Sequence, residues 1–251
     1  ANEGFARRIL DYLSFMISAI LAAPFVRGVS LVIGTSPHFF TPCAAFVVGL
    51  CKRVPFIFEL RDLWPDSIKA VGAMREGVWL QILHRIEMFL YRRAHHVVSV
   101  THSFKKVLVS RGIEAEKISV VTNGVDMERF RPQPKDPGLV ARYDLAGKFV
   151  GGYVGTHGMA HALGTLLRAA ARLQDLPDGG RMRLVLLGDG AAKQQLLRQA
   201  ESLGLRNTIF LDTVRKDEVV RYWSLIDVSI THLRNTELFN TVIPSKLFES
   251  M

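Results

Sequence analysis

The chain has 251 residues, with 32 Lys and Arg against 23 Asp and Glu for a net charge of +9. Its 49% apolar and 22% charged residues are globular averages, which excludes disorder, collagen and coiled coil as descriptions of the whole. At roughly 100 to 200 residues per domain there is room for one large or two small domains. Cys43 and Cys51 are too few, and sit in too apolar a segment, for a disulfide framework or a zinc site. A reducing, cytosolic setting is therefore the default.

The first residue is Ala, no basic-then-apolar signal peptide opens the chain, and Met251 falls inside what reads as an opening helix. A fragment of a longer protein is the expectation. The basic excess is uneven: residues 1–147 carry 19 Lys and Arg against 13 Asp and Glu, and residues 148–251 carry 13 against 10. Lys52-Arg53, Arg92-Arg93 and Lys105-Lys106 are local clusters that suit a phosphate polyanion or an anionic lipid surface.

In chain order, Ile9 to Val26 is almost wholly apolar but carries Asp11, Tyr12, Ser14 and Ser18 and reaches Pro24. That favours an amphipathic helix on a sheet over a membrane span, with a helix lying in a membrane interface as a third reading. Short apolar runs near Leu31–Ile33 and Pro55–Leu60 read as buried strands. Val78, Trp79, Ile82, Leu83, Ile86, Phe89 and Leu90 form a helical stripe ending at Arg92-Arg93. Further strands are expected at 97–100, 118–121, 149–154, 184–187, 209–211 and 228–231, mostly separated by helices. Such alternation predicts βαβ units and parallel sheets. The Pro-rich run from Arg131 to Gly138 marks the best linker, giving units at 1–135 and 148–251 joined by 136–147.

Ligands of open parallel sheets sit beyond the carboxyl ends of the strands, so the loops there carry the function. Gly151 to Gly158, with Gly155 and Thr156, is glycine-rich after a strand and lets backbone N–H groups approach a phosphate at a helix start. No G-x-G-x-x-G follows a strand, which argues against a nicotinamide dehydrogenase. Gly188-Asp189-Gly190 opens another helix. Pro244-Ser245-Lys246-Leu247-Phe248-Glu249 offers Pro at a first helical position, a cation, and a carboxylate one turn on. Its bland alternative is an ordinary helix start with a Lys–Glu pair.

These loops, with Asn123-Gly124-Val125-Asp126 and Phe130-Arg131-Pro132 ahead of the linker, resemble the family 4 glycosyltransferases of the two-Rossmann, GT-B architecture. Thr35-Ser36-Pro37 and Phe58 to Ser67 resemble its bacterial branch that transfers sugars such as N-acetyl-L-fucosamine or fucose in surface polysaccharide assembly. The resemblance implies an α/β fold of two Rossmann-like domains, both incomplete in this chain: an acceptor-binding domain, then a sugar-nucleotide-binding one. It implies a retaining transfer, without a bound metal or cofactor, from a nucleoside-diphosphate sugar to a lipid-linked or saccharide acceptor. The expected setting is the cytoplasmic face of the cell membrane, on an anionic lipid surface.

The chain departs from that family in three places. The first carboxylate of the Glu-seven-Glu pattern is Thr241, the Arg and Lys of the first donor loop are Thr156 and His161, and the His before the acceptor-domain Asp is Arg61. Lys246 is then the main candidate for the diphosphate, with N–H groups at Gly155 and Ser245, further donor-loop contacts at Gly188 and Gly190, and Glu249 on the ribose. The base falls near Asp212-Thr213-Val214 through backbone groups. Asp62 either acts as a base on the acceptor hydroxyl or orients Arg61. Ser36, His38 and Trp64 are candidates to line the acceptor side, whereas His95, His96 and His102 read as locally satisfied. A GT-B sugar-nucleotide epimerase is the rival enzyme. A noncatalytic phosphate or nucleic-acid binding module is the rival of another class, but no RNA- or DNA-binding motif accompanies the basic clusters, and nucleic acid is not an expected partner.

Overall fold

The computed structural model describes residues 3–70, 72 and 77–251. It divides into two compact units, Ala1–Asn123 with Thr236–Val242, and Gly124–Asn235 with Ile243–Met251. The first contains helix α1 (Glu3–Ala22), β1 (Val32–Thr35), α2 (Phe40–Lys52), β2 (Phe56–Leu60), α3 (Trp64–Ala70), α4 (Val78–Arg93), β3 (His96–Ser99), α5 (His102–Ser110) and β4 (Ile118–Val120). Its sheet is parallel in the order β1-β2-β3-β4, with Val32 opposite Phe56, Ile57 opposite His96 and Val97 opposite Ile118.

Alternation sets the inward face. Phe56, Phe58 and Leu60 of β2 are buried with Val97, Leu90, Tyr91, Phe104 and Leu108 in one apolar cluster. Turn chemistry fixes the joints: Arg53 closes α2 in the left-handed region at φ 57°, and the Thr101 hydroxyl caps α5 by accepting from Phe104 N–H at 3.0 Å. The segment Thr236–Val242, remote in sequence, joins this unit through Leu238 and Val242 on the core and through a 3.2 Å bond from Thr101 Oγ1 to Thr241 O.

The α4 stripe does not face the core as a whole. Leu80, Glu87, Leu90 and Tyr91 are buried, whereas Val78, Trp79, Ile82, Ile86 and Phe89 are exposed. Glu87 takes a core position because Tyr91 Oη donates to its Oε1 at 2.7 Å, while Arg111 and His84 stand 3.9 Å from Oε2. Burial, only partly offset by the Tyr91 bond and Arg111, lifts Glu87 to about 7. Between the ordinary carboxylate value and about 7 the folded state holds a proton that the unfolded state has released, so stability falls as pH rises through that window and is flat above it. Glu87→Gln is expected to abolish this decline, which at 1.36 kcal/mol per unit is on the order of 3 kcal/mol. Urea melts of both proteins between pH 4.5 and 8 with unchanged slopes would remove Glu87 as its source.

The second unit contains α6 (Pro137–Arg142), β5 (Phe149–Val154), α7 (Gly164–Gln174), β6 (Met182–Leu187), α8 (Lys193–Ser202), β7 (Thr208–Leu211), α9 (Val219–Trp223), β8 (Val228–Ser229) and α10 (Lys246–Glu249). Its parallel order is β7-β6-β5-β8. Even positions of β5 and odd positions of β6 (Val150, Val154, Val185, Leu187) join one core, and the opposite set (Tyr153, Leu184, Leu186) joins another, so both faces are covered.

The expected linker at 136–147 is instead part of this unit. Asp136 caps α6 by accepting from Leu139 N–H at 2.9 Å, and Leu139 and Leu145 are buried in the core. Pro137, one of the prolines that read as a spacer, serves here as the helix start, since Pro suits the first helical turn. Cys51 is exposed and Cys43 half-buried, although both lie in an apolar segment.

Candidate functional site

In the second sheet, β6 and β7 succeed β5 on one side while β8 returns to its other side. The order therefore reverses between β5 and β8, and in open parallel sheets such a reversal opens a crevice at the carboxyl ends. Gly155 N–H bonds Leu187 O at 2.9 Å and His157 N–H bonds Asp189 O at 2.8 Å, which ties the loops after β5 and β6 together. That approach requires glycine. Gly188 has φ +140°, and a Cβ there would fall on the carbonyl oxygen of Gly155; one on Gly190, at φ +154°, would lie 2.6 Å from His157 O.

The glycines do not lead straight into a helix, as the sequence suggests. Gly151 and Gly152 lie inside β5, where Ile226 occupies the space over Gly152, and α7 begins only at Gly164. Pro244 likewise precedes α10, whose cap is Ser245 with no side-chain bond.

Lys246 is brought to the loop after β5. Its Nζ donates to Tyr153 Oη at 2.5 Å and lies 3.8 Å from that ring's centroid, and a Cβ on Gly155 would stand 2.8 Å from it. Tyr153 Oη in turn donates to Thr156 O at 2.8 Å, so a tyrosine absent from the sequence-based candidates positions the ammonium; its alternation within an apolar strand hid the role of its hydroxyl. Burial lowers Lys246 to about 8, with Glu249 acting in the opposite direction. His157 is fully buried with neither ring nitrogen bonded, and His161 Nδ1 is also without a partner. Burial foremost, then Lys193 for His157 and Lys246 for His161, hold both near 4. They are neutral at physiological pH, so His161 supplies no second cation.

Lys193 was not a sequence candidate. Buried at the start of α8, it donates to Gly188 O at 2.9 Å and Asp212 Oδ1 at 2.5 Å, clamping the loops after β6 and β7. Thr156 and Ser245 are exposed, with no side-chain bond at Ser245, and Val214 packs on the core. Glu249 lines a cavity of about 300 Å³ with Phe130, Arg131, Trp223 and Asp227.

In the first unit, Ser36 Oγ accepts from Arg61 N at 2.9 Å and donates to Asp62 O at 3.1 Å, joining the loops after β1 and β2. Asp62 accepts from Ser67 Oγ, and burial raises its carboxyl despite that bond. Arg61 donates to Asn123 Oδ1 at 2.8 Å and lies 3.6 Å from Glu59. Two candidates meet neighbouring rings: His38 lies on Tyr12 at 3.6 Å and Trp64 packs on Phe39 at 5.2 Å between centroids. His96 is satisfied by Ser119 Oγ at 2.8 Å. Among the described residues no cluster of three His, Cys, Asp or Glu side chains is arranged to hold a metal.

Two parallel α/β units in one chain, the second with its candidate site at a strand-order reversal, define the GT-B class. The family model described as Glycosyltransferase Family 4 matches residues 8–129. The Escherichia coli K12 protein WcaI, named for glycosyl transfer in colanic acid biosynthesis, is 22% identical over 249 residues, covering 96% of this chain and 60% of its own. The Bacillus subtilis 168 protein TuaH, named for glycosyl transfer in teichuronic acid biosynthesis, is 28% identical over 196 residues, or 77% of this chain and 47% of its own. The Anabaena protein Alr3699/HepE in complex with UDP-glucose superposes with a TM-score of 0.67 at 20% identity, over 84% of this chain and 55% of that one. The chain thus spans about half to three-fifths of the length of the proteins it matches. Its first half matches the family 4 glycosyltransferase model, and the chain carries the GT-B fold.

Proposed function

We propose that the full protein is a retaining glycosyltransferase that moves a sugar from a nucleoside diphosphate to a saccharide or lipid-linked acceptor in surface polysaccharide assembly. The observation that carries the reading is Lys246, a lysine ammonium held by Tyr153 against the backbone of the loop after β5, at the strand-order reversal of the second sheet. Departure of a diphosphate builds negative charge, and a preorganised cation with backbone donors stabilises it without a metal. Glu249 takes the ribose, and the loop at 212–214 takes the base. In the first unit Asp62 serves the acceptor hydroxyl, as base or by orienting Arg61; its raised carboxyl and fixed position between Ser67 and the Ser36 turn suit proton exchange. The complexes of HepE with UDP and with UDP-glucose support a uridine nucleotide as the donor.

The test is transfer itself. The full-length protein with a UDP-sugar should release UDP only when acceptor is added, and the new linkage should keep the donor's anomeric configuration. Epimerised free sugar nucleotide without acceptor would favour the rival enzyme.

The acceptor half is proposed to rest on an anionic membrane at the cytoplasmic face. No described helix is long and apolar enough to cross a membrane, but Leu10, Phe15, Ile17, Leu21 and Phe25 of the first helical segment are exposed, and basic pairs lie at the ends of α2 and α4. Binding to phosphatidylglycerol vesicles is expected to fall severalfold between 50 and 500 mM salt, on the order of the ~1 kcal/mol that each basic residue contributes near the surface. Equal binding to neutral vesicles, or binding to neither, would contradict it.

A further inference from the structure

We propose that Arg234 is the second diphosphate-binding cation of the donor site, taking the place of the arginine and lysine that the loop after β5 lacks. The inference rests on the donor-binding reading above and adds a residue that neither the family pattern nor the sequence analysis assigns.

The loop after β5 is short of charge. Thr156 and His161 stand where cations were expected, and His161 is held neutral by burial and by Lys246. Lys193, the nearest other lysine of these loops, is committed to Asp212 and to Gly188 O. Lys246 alone would face a leaving group carrying two to three negative charges.

The chain leaving β8 supplies the remedy. It runs beside the loop after β5: His232 Nδ1–H donates to His161 O at 2.6 Å, and Arg234 N–H donates to Ala160 O at 2.7 Å. These two bonds fix the Arg234 backbone on the β8 side of the reversal, against the loop that Lys246 approaches from its Gly155 end. Arg234 is only partly exposed, yet among the described residues its guanidinium has no hydrogen bond, ion pair or ring contact. A guanidinium without a protein partner is available to a ligand, and a planar fork of donors fits phosphate oxygens in pairs. Two neighbouring arginines are engaged instead: Arg221 pairs with Asp136 and Arg215 with Asp217.

The test uses the full-length protein with UDP and UMP as probes, by titration calorimetry. Wild type should bind UDP well above UMP. Arg234→Ala should weaken UDP about tenfold or more, change UMP by much less, and leave the melting temperature unchanged, with Arg234→Lys recovering part of the UDP affinity. Lys246→Ala is the control that separates the two ideas. If it weakens UDP binding while Arg234→Ala does not, the donor site stands and the role of Arg234 is overturned. If neither variant changes the binding of a wild type that binds UDP, or if wild type binds no UDP, the donor assignment fails and the inference with it. A loss of both nucleotides together with a lowered melting temperature would make Arg234 structural and also overturn it.

Discussion

Gly188→Ala is expected to unfold much of the second unit. The methyl group would be driven into the carbonyl oxygen of Gly155, a backbone atom fixed on both sides, and the residue would keep φ +140°. Backbone in that region is nearly closed to residues with a Cβ, at about 1 to 3 kcal/mol, and an overpacked methyl against rigid backbone adds about 1 to 3 more. Against a total stability of about 5 to 15 kcal/mol, such a loss is a large fraction. The comparison within the site is Gly155, which is also at φ +136° but where a Cβ would meet the far end of the Lys246 side chain rather than backbone, so the backbone clash is absent and the conformational strain remains. Thermal melts of the full-length variants should show Gly188→Ala far below wild type, and an unchanged melting temperature would mean that the two loops are not pressed together as described.

Lys246→Ala is expected to cost nucleotide binding rather than folding. A charge-assisted phosphate contact is worth about 1.5 to 3 kcal/mol, so UDP affinity should drop tenfold or more. The pH dependence gives a second signature. With Lys246 at about 8 in the free site, wild-type affinity should fall as pH rises through about 8, because the ammonium is half lost there before the ligand arrives; it is nearly fully charged only a unit or more below. The groups around it are Tyr153, held above its ordinary range by burial, neutral His157 and His161, and Glu249. Neither Tyr153 nor the two histidines should titrate between pH 7 and 9 in a way that reproduces the fall. In Lys246→Ala the dependence should vanish, and a profile that persists would assign it elsewhere.

Much of this was legible in the residues because it depends on local rules. Alternation in Phe56 to Leu60 and continuous apolar runs such as Leu184 to Leu187 specify strands buried on one face or both, and their spacing with helices specifies parallel pairing. Lys246 was legible through the Pro-Ser-Lys run and the family resemblance. What escaped is non-local. The loop between Pro137 and Gly147 reads as a spacer until Leu139 and Leu145 find a core formed by residues up to 80 or so positions away. The α4 stripe reads as one apolar face, yet the inward positions include Glu87, because Tyr91 and Arg111 make a carboxylate tolerable there and leave Trp79 and Ile82 outside. Tyr153 looks like an ordinary strand aromatic, and Lys193 like a surface helix residue; only the approach of Lys246 and Asp212 in space gives each its task. Likewise nothing in Thr156 to His161 indicates that the chain after β8 lies alongside it.

The most direct test of the account is where a nucleoside diphosphate binds. A structure of the full-length protein with UDP should show the diphosphate at the carboxyl ends of β5 and β8, within hydrogen-bond reach of Lys246 Nζ and of N–H groups in the loop after β5. A diphosphate bound away from that reversal, with Lys246 still resting on Tyr153, would contradict it.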